Sequence, residues 1–275
     1  MSPQYNIKFN IFEVYIHKYG IRMISTKENR KYDRQIKLPN FGNEGQKRLK
    51  HSKILVIGAG GLGSAVLYYL TCAGVGNIGI VDPDKVELTN LNRQILHFET
   101  DLEKSKISSA IKKLSQLNPD VNFIKYVHSL LPDNAEKIIN KYDFVVEASD
   151  NFKTKFLVND VCVKLGKPFV IGGVFQFEGQ LMTVLPRETA CYRCAFKDAP
   201  EKGSYPTTSE HGIMGTTAGF FGIVEANEAI KYIVFKEPEK LLLNQILYAD
   251  LLHNSFETFT IQRDESCSVC SDITL

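Results

Sequence analysis

The chain reads as an α/β protein: a Rossmann-like mixed sheet, parallel in its N-terminal half and antiparallel in its C-terminal half, with helices on both faces. Three observations predict this. From Lys53 to about Val174, short β-branched runs alternate with helix-spaced segments, the pattern of successive βαβ units. The first run, Ile54-Leu55-Val56-Ile57, leads straight into Gly58-Ala59-Gly60-Gly61-Leu62-Gly63-Ser64, a strand, a glycine turn and a helix start in that order. After Gly173 the connections become too short to carry a crossover helix, which leaves only antiparallel pairing.

Taken in order, strands are predicted at 53–57, 77–81, 121–127, 143–147 and 168–174. Between them Ser64–Ala73, Glu103–Leu117, Asn134–Asn140 and Lys153–Leu165 carry apolar residues at helical spacing, with Asp133 as the N-cap of the third. Gly179–Leu185 then returns as a strand, and 246–252 and 255–262 form a further pair joined by His253-Asn254. Gly219–Phe235 is the longest helix, with Phe221, Val224, Ile230 and Ile233 on its buried face. Lys197–Gly215, rich in Gly, Pro, Ser and Thr, is the mobile crossover loop. Ahead of all this, Ile7, Phe9 and Ile11 alternate as a short strand that Val14 and Ile16 extend. The division expected is an N-terminal extension, 1–29, and one domain, 30–275.

Composition narrows the function. At 275 residues and 44% hydrophobic content the chain can bury a substantial core. Its 33 basic residues against 31 acidic give a net charge of +2, so no broad field draws it to nucleic acid or an anionic membrane. Lys8, Glu13, His17, Lys18 and Arg22 interrupt the apolar opening, which fits neither a signal peptide nor a spanning helix, and a soluble cytoplasmic protein is expected.

Gly58, Gly60 and Gly63 let backbone N–H groups approach phosphates at a helix N-terminus. Asp82, 19 residues past Gly63, stands where an acid accepts hydrogen bonds from ribose hydroxyls. These features alone would equally serve an NAD-dependent oxidoreductase. Arg93, in the polar run Thr89–Gln94, and Lys106, a cation opening a helix, ask for an anion as well. Asp150 follows an apolar strand and falls on the rim where open α/β sheets bind ligands, placed to hold magnesium beside phosphates. Asp84 reads as a solvated turn acid.

Lys31-Tyr32-Asp33-Arg34-Gln35, the glycine loop, Ala73-Gly74-Val75-Gly76, Asp82, Asn90-Leu91-Asn92-Arg93-Gln94, Lys106 and Ser149-Asp150-Asn151 together resemble the ThiF/MoeB family, bacterial relatives of ubiquitin-activating enzymes. The similarity runs from about Arg30 to Cys270. It implies ATP-dependent adenylylation of the C-terminal glycine of a small ubiquitin-like sulfur carrier of the ThiS or MoaD type, ending in Gly-Gly, with release of pyrophosphate, in thiamin or molybdenum cofactor biosynthesis. By the same resemblance Gly58, Gly60, Gly61 and Gly63 line the nucleotide and Asp82 binds ribose. Arg93 and Lys106 bind the phosphates with Asn90 beside them, Asp150 binds magnesium, and Arg34 reaches into the neighbouring subunit of a homodimer. Related enzymes adenylylate a peptide instead. The chemistry is consistent: a terminal carboxylate, pKa roughly 3.5, is already ionised and needs no general base.

Cys191-Tyr192-Arg193-Cys194 and Cys267-Ser268-Val269-Cys270 are two CxxC pairs suited to one tetrahedral zinc site, with disulfides the alternative that no export signal supports. Cys72 and Cys162 lie within helical patterns and read as buried small apolar residues. Where many family members carry a reactive loop cysteine, this chain has Thr208, which cannot form a persulfide or thioester. Sulfur would then come from a separate persulfide donor such as a cysteine desulfurase. His211 in the same loop reads as solvent-facing or hydrogen-bonded rather than catalytic.

Overall fold

The computed structural model describes residues 24–201 and 207–271; the strand expected over residues 7–16 lies outside them. Eight strands follow along the chain: β1 (Lys53–Ile57), β2 (Asn77–Val81), β3 (Asn122–Tyr126), β4 (Phe144–Glu147), β5 (Phe169–Phe175), β6 (Glu178–Val184), β7 (Gln245–Asp250) and β8 (Ser255–Thr260). They form one sheet in the order β3-β2-β1-β4-β5-β6-β7-β8. The first five are parallel, with Ile54 beside Ile78 on one flank of β1 and Phe144 on the other. From β5 onward every pairing is antiparallel.

The helices are α1 (Thr26–Lys31), α2 (Asp33–Ile36), α3 (Gly42–His51), α4 (Gly61–Ala73), α5 (Lys106–Leu117), α6 (Pro132–Ile139), α7 (Phe152–Leu165), α8 (Tyr192–Ala195), α9 (Thr208–His211) and α10 (Gly215–Phe235). β4 is buried along its whole length, as a strand covered on both faces must be. Alternate residues of the central strands feed two cores. On one face Val56, Ile78 and Phe144 pack with Leu67 of α4 and Phe221 of α10. On the other Leu55, Val145 and Phe169 pack with Ile138 of α6 and Val158 of α7. α4 and α10 lie close enough that a Cβ on Gly222 would stand 2.4 Å from the Leu62 carbonyl oxygen, so that crossing requires glycine.

Several boundaries differ from expectation for identifiable reasons. α5 starts at Lys106, not Glu103, because Glu103 takes a positive φ of 63°. α6 starts at Pro132, well suited to a first helical position, and Asn134 accepts from the Leu131 N–H; Asp133 sits in the first turn and is not the cap. α10 begins at Gly215, because packing against α4 overrides the low helix propensity of Gly-Thr-Thr. Its most buried positions include Glu225 and Glu228, where the apolar pattern alone pointed to Val224 and Ile230, which are only partly buried. The last hairpin turns through residues 251–254 and β8 ends at Thr260. Cys162 is buried as expected, whereas Cys72 is exposed: α4 turns that face outward. Among the described residues no helix is long and apolar enough to cross a membrane.

Candidate functional site

β1 and β4 are adjacent, yet the chain leaves β1 toward β2 and returns from β3 to β4, so the connections diverge between them. Such a crevice at the carboxyl ends of parallel strands is where open α/β sheets bind ligands. The glycine loop leaves β1 on one side of it, and Ser149-Asp150-Asn151 leaves β4 on the other.

The loop's glycines have different reasons to be there. Gly58 takes φ +99° and a Cβ on it would stand 2.7 Å from Ala148 O, while one on Gly63 would stand 2.0 Å from Gly58 O. Those two are required by the folding of the loop onto β4 and onto itself. Gly60 faces open space, its nearest neighbour to a Cβ being Gln94 Nε2 at 3.7 Å. A Cβ on Gly61 would meet Ala218 at 2.9 Å and Arg93 Cγ at 3.5 Å, so Arg93 runs along the loop.

Asp82, at the end of β2, is only 5% exposed. Its Oδ2 accepts the Ala59 N–H at 2.7 Å and its Oδ1 the Asp84 N–H at 2.9 Å, which ties the loop to the acid. Burial raises its pKa, while Lys106 and those N–H groups pull it back down. Lys106 occupies the first position of α5, nearly buried, and its Nζ meets Asp84 Oδ2 at 2.9 Å. Asp84 is therefore more than a solvated acid: it offsets a cation poorly matched to the helix dipole. Arg93 Nη1 donates to Thr89 O at 2.8 Å and Asn92 Oδ1 at 2.9 Å. Asn90 Oδ1 accepts the Glu87 N–H at 3.1 Å, shaping the turn that presents Arg93.

Asp150 is exposed at the crevice. Beneath it lies a buried ionic cluster. Glu147 is fully buried and its Oε1 accepts both the N–H, at 3.1 Å, and the hydroxyl of Ser149, holding the turn that carries Asp150. Lys155 donates to Glu147 Oε2 and to Gly172 O. Burial raises the Glu147 pKa against the pull of Lys155. Glu225, fully buried beside Gly172, is pushed well above the usual carboxylate range by burial, Lys155 again opposing.

A second buried chain reaches the loop from behind. His97 Nε2 lies 2.9 Å from Ala59 O, and its Nδ1 lies 2.9 Å from Ser109 Oγ. Ser109 meets Asp101 at 2.9 Å, and Lys113 meets both. Burial lowers the His97 pKa. Sequence reasoning missed His97, Glu147, Lys155 and Glu225.

Arg34 stands apart from this group. It is exposed on α2, where neighbouring Gln35 donates to Ala73 O at 2.9 Å, at the far end of α4. The thirteen-residue helix from Gly61 to Ala73 puts it roughly 18 Å along the helix axis from the loop. In the crossover segment Thr208 begins α9, whose side chains are largely exposed, and His211 is exposed near the Phe175 ring.

Cys191 precedes α8, Cys194 lies in it, and Cys267 and Cys270 return after β8. All four sulfurs lie within 4.8 Å of one another, with separations of 3.7 Å for Cys191 and Cys267, 3.9 Å for Cys191 and Cys194 and 3.5 Å for Cys194 and Cys270. A tetrahedral ion with metal–sulfur bonds of about 2.3 Å sets sulfurs about 3.8 Å apart, whereas a disulfide needs about 2.05 Å. The donor set fits zinc. A cavity of about 740 Å³ lies elsewhere, at the amino ends of β1, β4 and β5 beside Arg48, Asp143, Lys167 and Tyr232. Asp82, Arg93, Lys106 and Asp150 do not line it.

A sequence profile of the ThiF family matches residues 32–269. A sulfur carrier protein adenylyltransferase from Thermus thermophilus is 43% identical over 247 residues, covering 88% of this chain and 90% of that protein. The SAMP-activating enzyme E1 of Haloferax volcanii is 38% identical over 242 residues, covering 88% of each. Among solved structures, that of E. coli MccB with MccA-N7isoASN superposes with a TM-score of 0.78 at 23% identity, covering 98% of this chain and 84% of that one, which shows the shared fold.

Proposed function

The chain belongs to the ThiF family, and from that premise we propose that it is an adenylyltransferase that uses ATP to adenylylate the C-terminal glycine of a ubiquitin-like sulfur carrier ending in Gly-Gly. One observation carries the reading. Asp82, Lys106, Arg93 and the open Gly60 gather around a single loop at the sheet's crevice, while Asp150 stands on its opposite wall.

In this reading Asp82 receives the ribose hydroxyls and the loop N–H groups receive phosphate oxygens. The carrier carboxylate attacks the α-phosphorus, the bond to the β-phosphate oxygen breaks, and pyrophosphate leaves. Arg93 and Lys106 offset the charge that collects on phosphoryl oxygens, with Asn90 beside them. Asp150 would hold magnesium, an exposed carboxylate being the donor that ion takes beside phosphates, and bound magnesium neutralises phosphate charge. Four thiolates, Cys191, Cys194, Cys267 and Cys270, would hold zinc as a staple tying the chain's end to α8. With Thr208 where a loop cysteine would stand, the reaction stops at the acyl-adenylate, and a persulfide donor such as a cysteine desulfurase supplies sulfur. Arg34, remote from its own loop, serves the second subunit of a homodimer. The protein works in the cytoplasm, in thiamin or molybdenum cofactor biosynthesis. A protein carrier is preferred to a peptide because the 43% identical relative bears a sulfur-carrier name, whereas the likeness to MccB is one of fold.

The test is incubation with ATP-magnesium and candidate carriers, followed by intact-mass spectrometry for an added AMP. Arg93→Ala and Lys106→Ala should lower ATP–pyrophosphate exchange roughly 100-fold or more while carrier affinity stays within about threefold. Exchange that survives both substitutions, or a site that binds NADH and ignores ATP, refutes the reading.

A further inference from the structure

Ala59 is gripped at both ends. Its N–H donates to Asp82 Oδ2 at 2.7 Å, and its carbonyl oxygen lies 2.9 Å from His97 Nε2. A carbonyl can only accept, so Nε2 carries the hydrogen whatever the state of the other ring nitrogen. His97 is 3% exposed, and Ser109 and Asp101, which continue the chain behind it, are 2% and 4% exposed. Lys113 closes that chain on Asp101 and Ser109. A histidine buried at this depth and bonded through both nitrogens has one orientation.

The peptide plane converts that orientation into a property of the site. In a trans peptide the C=O and the following N–H point in opposite directions. His97 draws the Ala59 carbonyl toward the interior, and so the Gly60 N–H of the same peptide points outward. That N–H makes no hydrogen bond among the described residues. Gly60 itself is partly exposed, and a Cβ there would meet only Gln94 Nε2, at 3.7 Å, so the loop leaves room beside this peptide. Asp82 fixes the preceding peptide in the same way.

We infer that His97 is a positioning residue for phosphate recognition, which, through the Ala59 carbonyl, holds the Gly60 N–H toward the nucleotide phosphates. The inference rests on the nucleotide reading above and adds to it a residue in contact with neither substrate nor metal. Ser109, Asp101 and Lys113 keep the imidazole in place.

The experiment compares ATP-magnesium with adenosine by titration calorimetry, because adenosine occupies the site without phosphates. His97→Phe keeps the volume and removes the donor; His97→Gln places an amide N–H where Nε2 stands. His97→Phe should weaken ATP roughly tenfold and leave adenosine within about twofold, while His97→Gln keeps ATP within about threefold. A His97→Phe protein that binds ATP like the wild type, an equal loss of ATP and adenosine, or a glutamine variant as weak as the phenylalanine one overturns the inference. Should His97→Phe not fold, Ser109→Ala decides: weaker ATP with unchanged adenosine supports the clamp, and unchanged ATP overturns it. Wild-type protein that binds adenosine but gains nothing from the phosphates overturns the reading of the loop as a phosphate site, a different failure from that of His97.

Discussion

Replacing Lys155 by methionine keeps a long side chain but removes the counter-charge of Glu147, which is fully buried, from a lysine itself only 5% exposed. A buried carboxylate left without its cation costs about 3–5 kcal/mol. The group has another course, which is to take a proton. An unfolded glutamate titrates near pH ~4.3, so folding with Glu147 protonated at pH 7 costs 1.36 kcal/mol for each of ~2.7 pH units, about 3.7 kcal/mol. At pH 6 the same arithmetic gives about 2.3 kcal/mol. The sign follows from a folded-state pKa raised above the unfolded value: stability is retained below the unfolded pKa and lost as pH rises through the folded one. Because burial already raises the Glu147 pKa in the wild type, that figure is the upper limit of the deficit, and for a chain of this size 3.7 kcal/mol corresponds to a melting temperature lower by up to roughly 7–15 °C. Thermal unfolding followed by circular dichroism at pH 6, 7 and 8 should show the deficit relative to wild type growing with pH. Lys155→Met with Glu147→Gln should recover most of it, because the amide still accepts from Ser149 without a charge. A deficit under about 2 °C at pH 7, or one independent of pH, would mean that Glu147 is not held ionised by Lys155. The consequence reaches function through Ser149, which Glu147 holds by two hydrogen bonds in the turn that carries Asp150.

Purified, unchelated protein should carry about one zinc per chain, and Cys267→Ser should lower both that ratio and the melting temperature, by upwards of ~10 °C; a ratio well below one in the wild type counts against the site. The Asp101 carboxyl is held at about 2, burial pushing it up but Lys113, the Phe98 N–H and Ser109 outweighing it. Its contribution is present above the unfolded pKa and lost as pH falls toward 2, so Asp101→Asn should flatten the acid limb of a plot of melting temperature against pH; an unaltered limb refutes this. If Arg34 serves the partner's site, mixing inactive Arg34→Ala with inactive Lys106→Ala should restore about a quarter of wild-type exchange, since half the dimers are mixed and each holds one intact site. No recovery after verified subunit exchange places Arg34 outside the reaction.

What the sequence showed of this site is what local chain geometry dictates. The glycine run, Asp82 and the CxxC pairs are legible because a strand-to-helix turn, a strand end and a metal clasp each impose spacing on neighbouring residues. Glu147, Lys155 and Glu225 impose none: they come from a strand and two helices, the last two 70 positions apart in sequence, and meet only because α7 and α10 pack beside β4 and β5. The same limit explains Cys72, since a helical pattern shows that α4 is a helix but not which side its neighbours leave uncovered. It also explains why the fingerprint glycines look alike in sequence and differ in space. Gly58 and Gly63 are demanded by backbone atoms of the chain itself, whereas Gly60 meets nothing closer than a side-chain amide at 3.7 Å. A methyl group at Gly63 must therefore disturb the fold, and one at Gly60 tests only what enters the crevice from outside.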